Sequence, residues 1–216
     1  MPDFIALKAK LGDWLAVDSG RLADSVRGDC INLAMRDLAR LHDLWLNEKT
    51  TALAAGAVGQ ADYGIPTDFS RPHTLKYVNP SSGKWVYLKQ KSFEDFQGLY
   101  PNIGTAGQVN GKPEHYTQFG SFFQVGPPPD FDGLLLSVNY YSVPADLTDA
   151  LPTNLFTQYA WEAVFFRALV YASKYLIEDP RLPVWEQGAQ QAELKLVIEH
   201  ARARHSGGPL VIEEPG

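Results

Sequence analysis

The sequence predicts an α+β protein, in which a helical bundle of N-terminal and C-terminal helices carries an inserted small antiparallel β-sheet or barrel subdomain. Three observations support this class. Apolar residues recur at steps of three and four before residue 43 and after residue 152, which is the helical period. The chain between those regions alternates short strand-like segments with turns. The 15 prolines and 18 glycines argue against a purely helical fold.

Residues 1–42 are predicted to form the N-terminal helices. The first helix covers residues 3–16 and has apolar residues at helical spacing. Ser19 is the expected N-cap of a second helix over residues 21–42, because a serine side chain can accept a hydrogen bond from the first turn. The second helix has one apolar stripe, formed by Leu22, Val26, Cys30, Leu33, Ala34, Leu38 and Leu41.

Residues 43–152 are predicted to form the β-rich subdomain. Residues 44–51 have a strand pattern, and the strand-like segments 74–78 and 84–89 flank a turn. Ser92 and Asp95 have the spacing of a capping box, which predicts a short helix. The remaining expected elements are a loop over 101–113, a hairpin about Gly120 that ends at Pro127-Pro128-Pro129, and a strand over 134–142.

Residues 153–204 are predicted to form the long C-terminal helices, followed by a flexible docking tail over residues 205–216. The segment 153–178 is interpreted as one long helix that is apolar almost all round, so we expect burial on several sides. A second helix over 183–204 has a narrow apolar stripe and an otherwise polar surface. The stripe consists of Trp185, Ala189, Ala192 and Leu196.

The composition limits the class of function. The 216 residues carry a net charge of -6 and no basic block, which disfavours a broad basic surface for nucleic-acid backbones. Cys30 is the single cysteine, so no intrachain disulfide can form. The chain shows neither a signal-peptide pattern at its start nor an apolar run of the ~20 residues that span a membrane. We therefore expect a soluble protein that is made in the cytoplasm and binds no membrane.

Motifs for catalysis or cofactor binding are not found in the sequence. None of the five histidines has metal-ligand spacing to another ligand, so we expect no metal, no cofactor and no enzymatic activity. A hydrolase that uses Glu114 and Asp130 remains a minor alternative. The aromatic residues of the β-rich subdomain have three interpretations: a thin-sheet core, a protein-binding surface or a sugar-stacking platform. These aromatic residues are Trp85, Tyr87, Phe93, Phe96, Tyr100, Tyr116, Phe119, Phe122, Phe123, Tyr140 and Tyr141.

Several segments occur in an order that resembles a known family. They are the helix Asp29-Cys30-Ile31-Asn32-Leu33-Ala34-Met35-Arg36-Asp37-Leu38-Ala39, then Tyr63-x-Ile65-Pro66-x-Asp68-Phe69, Gly111-Lys112-Pro113-Glu114-His115-Tyr116, Val138-Asn139-Tyr140-Tyr141, Thr153-Asn154 and Ala172-x-x-x-Tyr175-Leu176-x-Glu178-Asp179. Over residues 25–200 this order resembles the head-to-tail adaptor (connector) proteins of tailed bacteriophages.

The resemblance implies a structural virion protein at the neck, present in the host cytoplasm before assembly. Such a protein binds the portal protein as a ring of twelve copies, extends the DNA channel and offers an attachment surface to tail (nozzle or fibre) proteins. Genomic DNA then passes through the lumen without sequence-specific binding. The main alternative is a carbohydrate-binding module of a phage tail or cell-surface protein that uses the aromatic β insertion.

Two sets of residues are expected to make the contacts of such an adaptor. The portal-binding residues are expected in the tail, where Pro209 stiffens the chain and Leu210, Val211 and Ile212 favour a strand that can dock on a partner. The subunit interface is expected on the C-terminal helices, at Trp161, Phe165, Tyr171 and Trp185.

Overall fold

The computed structural model describes residues 1–177 and 179–204 and has an α+β fold, as predicted. Two compact units are present: a helical unit formed by Met1–Asn47 with Val143–Gly216, and a β unit formed by Glu48–Ser142. The helices are α1 (Phe4–Leu15), α2 (Asp24–Leu41), α3 (Phe93–Leu99), α4 (Leu155–Tyr159), α5 (Trp161–Leu176) and α6 (Leu182–Arg204). The strands are β1 (Glu48–Ala52), β2 (Asp62–Gly64), β3 (Phe69–Val78), β4 (Trp85–Tyr87), β5 (Lys89–Gln90), β6 (His115–Phe119), β7 (Phe122–Gly126) and β8 (Leu136–Ser142).

The first two helices follow the predicted apolar periods. The Asp3 side chain caps α1 by accepting a hydrogen bond from the backbone N–H of Ala6 at 2.8 Å. The predicted N-cap of α2 at Ser19 is wrong, because residues 18–22 form a turn in which Asp18 Oδ1 accepts from the N–H of Arg21. The helix begins after Ala23, which makes no side-chain cap.

Two helices, α4 and α5, lie within the segment 153–178, for which a single helix was predicted. Asn154 and Thr157 make a capping box at the start of α4, and Ala160 breaks the helix with φ −128° and ψ 17°. Phe156, Thr157 and Ala160 are all buried, so packing accounts for a break that no proline or glycine marks. The helix α5 then ends at Leu176, and Glu178 lies outside the described residues.

The core of the helical unit lies where α5 packs between α2 and α6. The helix α5 has extensive contacts with both neighbours, and α1 packs on α2 and α5. Gly188 allows the close approach of α6, since a Cβ at that position would lie 2.7 Å from the ring of Phe166. Side chains of this core with almost no exposed surface include Leu7, Leu11, Leu15, Leu22, Ile31, Met35, Leu38 and Phe156.

Buried side-chain amides fix both points at which the chain passes between the units. Asn32 Nδ2 donates to the carbonyl of Leu147 at 3.1 Å, and the N–H of Leu147 donates to Asn32 Oδ1 at 2.8 Å. Asn47 Nδ2 donates to the carbonyl of Ala39 at 3.0 Å. The chain therefore leaves and re-enters the helical unit at positions that are held by hydrogen bonds in its interior.

The β unit contains two four-stranded sheets around one core. Their strand orders are β1-β8-β3-β4 and β2-β7-β6-β5, and every pairing is antiparallel except that of β5 with β6. Alternate residues of β8, including Leu136, Val138 and Tyr140, point into the core, where they join Leu75 and Phe123. The two predicted hairpins and the short helix capped by Ser92 are present.

The predicted strand over residues 44–51 is wrong in its first half. Trp45–Asn47 forms a 3-10 helix, and only Glu48–Ala52 pairs with β8. Leu46 and Asn47 are buried in the helical unit, so tertiary packing outweighs the strand propensity of this segment.

Candidate functional site

The structure assigns Phe165 to the interior of its own subunit. Its ring lies 5.2 Å from that of Trp14 in an edge-to-face arrangement, and only 2% of the residue is exposed. Phe166 lies 5.8 Å from Trp14 on the neighbouring position. Phe165 is therefore no part of a surface that a second copy could reach in the folded chain, and the prediction of an interface role for it is corrected.

The other three residues predicted at a subunit interface lie at the edge of the helical core. Trp161 is half-buried, and Lys10 Nζ lies 5.0 Å above its ring. Trp185 packs 5.9 Å from Trp14, and the hydroxyl of Tyr171 donates to Asp37. Each of these side chains contacts its own subunit and is also partly accessible, so an interface role for Trp161, Tyr171 and Trp185 stays a prediction.

A charged network joins three helices on the opposite side of α5. Arg167 donates to Asp37 Oδ2 of α2 at 3.2 Å and also to Glu193 of α6. His42 Nε2 lies 3.6 Å from Glu193 Oε2. Burial alone would lower the pKa of Arg167, but its hydrogen bonds and charge interactions with Glu193 and Asp37 outweigh this effect and raise the pKa. The network thus keeps a partly buried cation charged and fixes the angles between the helices.

An exposed apolar stripe on α6 was not anticipated from the sequence. We define the outer α6 stripe as Val184, Leu194 and Ile198, whose exposed fractions are 60%, 62% and 41%. The prediction that α6 is polar outside its narrow apolar stripe is therefore wrong. A signal for this second stripe was present, because Leu194 and Ile198 are four residues apart and Val184 precedes Ile198 by two heptads.

The aromatic residues of the β unit fall into a buried group and an exposed group. Phe96, Tyr116, Phe123, Tyr140 and Tyr141 are buried. Trp85 and Tyr87 are 51% and 60% exposed, and Lys76 Nζ lies 4.6 Å from the first ring and 5.8 Å from the second. We refer to Lys76, Trp85 and Tyr87 as the β3–β4 aromatic surface.

A second exposed aromatic group lies at the tip of the β6–β7 hairpin. The ring of Phe93 stacks on that of Phe119 at 4.4 Å, and Phe119 pairs with Phe122 across the strands. All three phenylalanines are exposed. Exposed aromatic groups of this kind are typical of protein-binding surfaces.

Glu114 and Asp130, the pair considered for hydrolysis, both lie beyond the open end of the β6–β7 hairpin. The N–H of Glu114 donates to the carbonyl of Gly126, and the N–H of Asp130 donates to the carbonyl of Gly111. Burial raises the pKa of Tyr77, and the charges of Asp130 and Glu114 add to this effect. Among the residues that the structure describes, no nucleophilic side chain is seen to donate a hydrogen bond to either carboxylate.

In the described ranges no cluster of three or more His, Cys, Asp or Glu side chains could hold a metal ion. Of the helices described, none combines the length and the apolar character that crossing a membrane requires. The residues predicted to bind the portal, Pro209, Leu210, Val211 and Ile212, lie outside the described residues.

A family model described as SU10 adaptor protein matches residues 2–212. No curated protein matches the chain.

Proposed function

Because the chain belongs to the SU10 adaptor protein family, a family of phage adaptor proteins, we propose that it acts as a head-to-tail adaptor in the virion neck. In this proposal it binds the portal as a ring of twelve copies, extends the DNA channel and provides the attachment surface for tail nozzle or fibre proteins. The family match across residues 2–212 is the single observation that carries the proposal.

The distribution of exposed apolar side chains supports an assembly role. Val184, Leu194 and Ile198 on α6, and Phe119 and Phe122 in the β unit, are exposed in a single copy of the chain. Exposed apolar groups of this size favour burial against a partner, since each large side chain removed from water contributes about 1.5–3 kcal/mol. A protein that contacts copies of itself and tail proteins needs such surfaces in both units.

The charge of the protein supports passage of DNA without adhesion. The chain carries 25 acidic residues against 19 basic ones, for a net charge of -6. A basic lumen would bind DNA phosphates by releasing their counterions, whereas an acidic protein gives no such attraction. In the proposal, genomic DNA therefore moves through the ring without sequence-specific contacts.

Electron microscopy of the protein mixed with portal rings tests the proposal. We expect a ring of added density on the portal, and we expect a variant that lacks residues 206–216 to lose it. A circular dichroism spectrum equal to that of the full chain is the control for folding of the truncated variant. If the full-length protein forms no complex with portal rings at any ratio, the proposed function is wrong.

The β3–β4 aromatic surface supports a second candidate function. The exposed rings of Trp85 and Tyr87 could stack on sugar faces, as in a carbohydrate-binding module of a tail protein. Glycan-array binding that disappears in the Trp85→Ala/Tyr87→Ala variant, together with no affinity for portal rings, would establish this candidate in place of the adaptor. The Phe119→Ala/Phe122→Ala variant is the matched control, because it removes exposed aromatic rings elsewhere in the same unit.

A further inference from the structure

The β3–β4 aromatic surface is an uncovered face at the edge of a sheet. The strand β4 lies at one end of the order β1-β8-β3-β4 and pairs with β3. Lys76 lies opposite Tyr87, and Val78 lies opposite Trp85. These four side chains share one face of the two strands, whereas Tyr77 points from the other face into the core. Two aromatic rings and a cation therefore stand together on a face that is open to a ligand.

The chain around this surface is basic, although the whole protein is acidic. Residues 69–93 contain five basic side chains and no carboxylate, whereas the net charge of the chain is -6. Lys84 and Lys89 flank β4 in the sequence, and both are exposed. In the part of the chain that the structure describes, no carboxylate forms an ion pair with Lys76, Lys84 or Lys89. Lys174 on α5, by contrast, lies 3.3 Å from a carboxylate oxygen. The positive charge of the surface thus favours an anionic ligand.

The spacing of the two rings distinguishes a single strand of nucleic acid from a duplex. Trp85 and Tyr87 are two residues apart on β4, which corresponds to about 7 Å along an extended strand. Bases that stay stacked in a duplex are ~3.4 Å apart along each strand, and they present only their edges to a protein. The bases of a single strand can separate and stack on aromatic side chains, while basic side chains follow the backbone. The two rings therefore fit a single strand.

The position of Lys76 favours a phosphate over a sugar hydroxyl. Its Nζ lies 4.6 Å from the centroid of the Trp85 ring and 5.8 Å from that of the Tyr87 ring. The ammonium group has three hydrogen-bond donors and no acceptor. A neutral sugar stacked on both rings would bury this cation without a counter-charge. A phosphate that links two stacked bases supplies the negative charge at that place.

We propose that the β3–β4 aromatic surface, with Lys84 and Lys89 beside it, binds single-stranded nucleic acid. Two bases stack on Trp85 and Tyr87, and the phosphates contact Lys76 and the two flanking lysines. The binding does not depend on the base sequence, because every base has an aromatic face. This inference goes beyond the proposed function and does not rest on it, since portal binding is measured separately.

Fluorescence anisotropy of a labelled oligothymidylate of about 12 nucleotides tests the proposal with the full-length protein. We expect the single strand to bind about tenfold or more tightly than a blunt duplex of the same length, because the duplex cannot stack on the rings. Trp85→Ala should weaken binding about 5-fold to 150-fold, which corresponds to the loss of one stacked base. The Phe119→Ala/Phe122→Ala variant is the matched control and should bind like the wild type, since it removes exposed rings elsewhere in the same unit.

The salt dependence of binding measures the number of phosphate contacts. Each contact to a single strand adds about −0.7 to the slope of log K against log salt, so three lysines give a slope of about −2. The Lys84→Gln/Lys89→Gln variant should reduce the slope to about −0.7. The Lys174→Gln/Lys195→Gln variant removes the same charge from the helical unit and should keep the slope of the wild type. Circular dichroism spectra equal to that of the wild type are the check of folding for every variant.

Other results of the same experiments would overturn the proposal. Absence of oligonucleotide binding at about 50 mM salt, or an unchanged affinity of the Trp85→Ala variant, would show that the surface is not the binding site. Equal affinities for the single strand and the duplex would contradict base stacking. Equal binding of polyglutamate would assign the surface to an acidic protein segment, and glycan binding in place of oligonucleotide binding would assign it to sugars.

Discussion

Asp179 accepts three hydrogen bonds from Arg181, one from its backbone N–H at 3.0 Å and two from its guanidinium at 2.9 and 3.2 Å. The same guanidinium donates to the carbonyls of Trp14 and Leu15 at the end of α1. Ser173 Oγ donates to Asp179 Oδ2 at 3.0 Å. This buried carboxylate therefore joins the end of α1, the last turns of α5 and the start of α6.

The Asp179→Asn substitution should destabilise the helical unit in a pH-dependent way. Hydrogen bonds from Arg181 outweigh burial and lower the pKa of Asp179 from 3.8 to about 2. Because the folded pKa lies below the unfolded one, the stabilisation of up to about 2 kcal/mol is present above pH ~4 and is lost as the pH falls towards 2. Urea unfolding followed by far-UV circular dichroism at pH 7 and pH 2.5 should show a large difference between wild type and variant only at pH 7. The Asp29→Asn variant, at an exposed position of α2, is the control and should change little at either pH.

Phe165→Ala should destabilise the chain by about 3–5 kcal/mol, because it empties a buried aromatic position of the core. Tyr175 lies on the same helix and is exposed, so Tyr175→Ala should cost less than about 0.5 kcal/mol. Urea denaturation of both variants at pH 7 gives the comparison. Equal stabilities of the two variants would mean that Phe165 is not a core residue.

Gly188→Ala and Gly98→Ala should have opposite effects on the stability of the protein, although both glycines lie in helices. A Cβ at position 188 would lie 2.7 Å from the ring of Phe166, whereas nothing lies within 4 Å of one at position 98. In the Gly188→Ala variant, α5 and α6 must move apart, which should lower the free energy of unfolding by about 1–3 kcal/mol. The higher helix propensity of alanine offsets ~1 kcal/mol of this loss. At position 98 only the higher helix propensity of alanine applies, so Gly98→Ala should raise the free energy of unfolding. Thermal unfolding of both variants measures the difference, and a stabilised Gly188→Ala variant would contradict the close packing of α6.

Arg167→Met should destabilise the helical unit by about 3 kcal/mol, because Asp37 and Glu193 then face each other without their shared cation. Adding Glu193→Gln should restore part of the loss, since one of the two carboxylates is then neutral. Lys174 pairs with Glu186 at the surface, and Lys174→Met should cost less than about 1 kcal/mol. A double-mutant cycle by urea denaturation measures these effects, and strictly additive losses for Arg167 and Glu193 would disprove the coupling.

Cys30 should react slowly with thiol reagents in the native protein. Burial, with a contribution from the charge of Asp29, raises the pKa of its thiol to about 11, so about one thiol in a thousand is ionised at pH 8. As the single cysteine of the chain, it gives an unambiguous readout with a disulfide reagent. We expect complete labelling within seconds in 6 M guanidinium chloride and labelling over hours without denaturant. Rapid native labelling would show that α2 opens frequently.

Periodicity in the sequence was enough to predict the helices α1, α2 and α6 and both hairpins, because each of these elements has a regular apolar face. It could not predict the break at Ala160, where helix propensity is favourable and distant packing of Phe156 decides the geometry. It also could not separate Phe165 from Tyr175, since both are aromatic residues on one helix and only the position of Trp14 decides which is covered. The outer α6 stripe was missed because the two apolar stripes of that helix oppose each other.

The position of α5, late in the chain, has a consequence for biosynthesis. The first 47 residues leave the ribosome long before α5, which follows about 110 residues later and supplies the other half of their core. At about 5–20 residues per second, roughly 6–22 seconds pass before α5 is synthesised and can cover the apolar faces of α1 and α2. The β unit can fold in that interval, since its core contains only residues of the inserted segment. In a chain that is synthesised from its N-terminus, the inserted β unit can therefore reach its folded form before α1 and α2 meet α5.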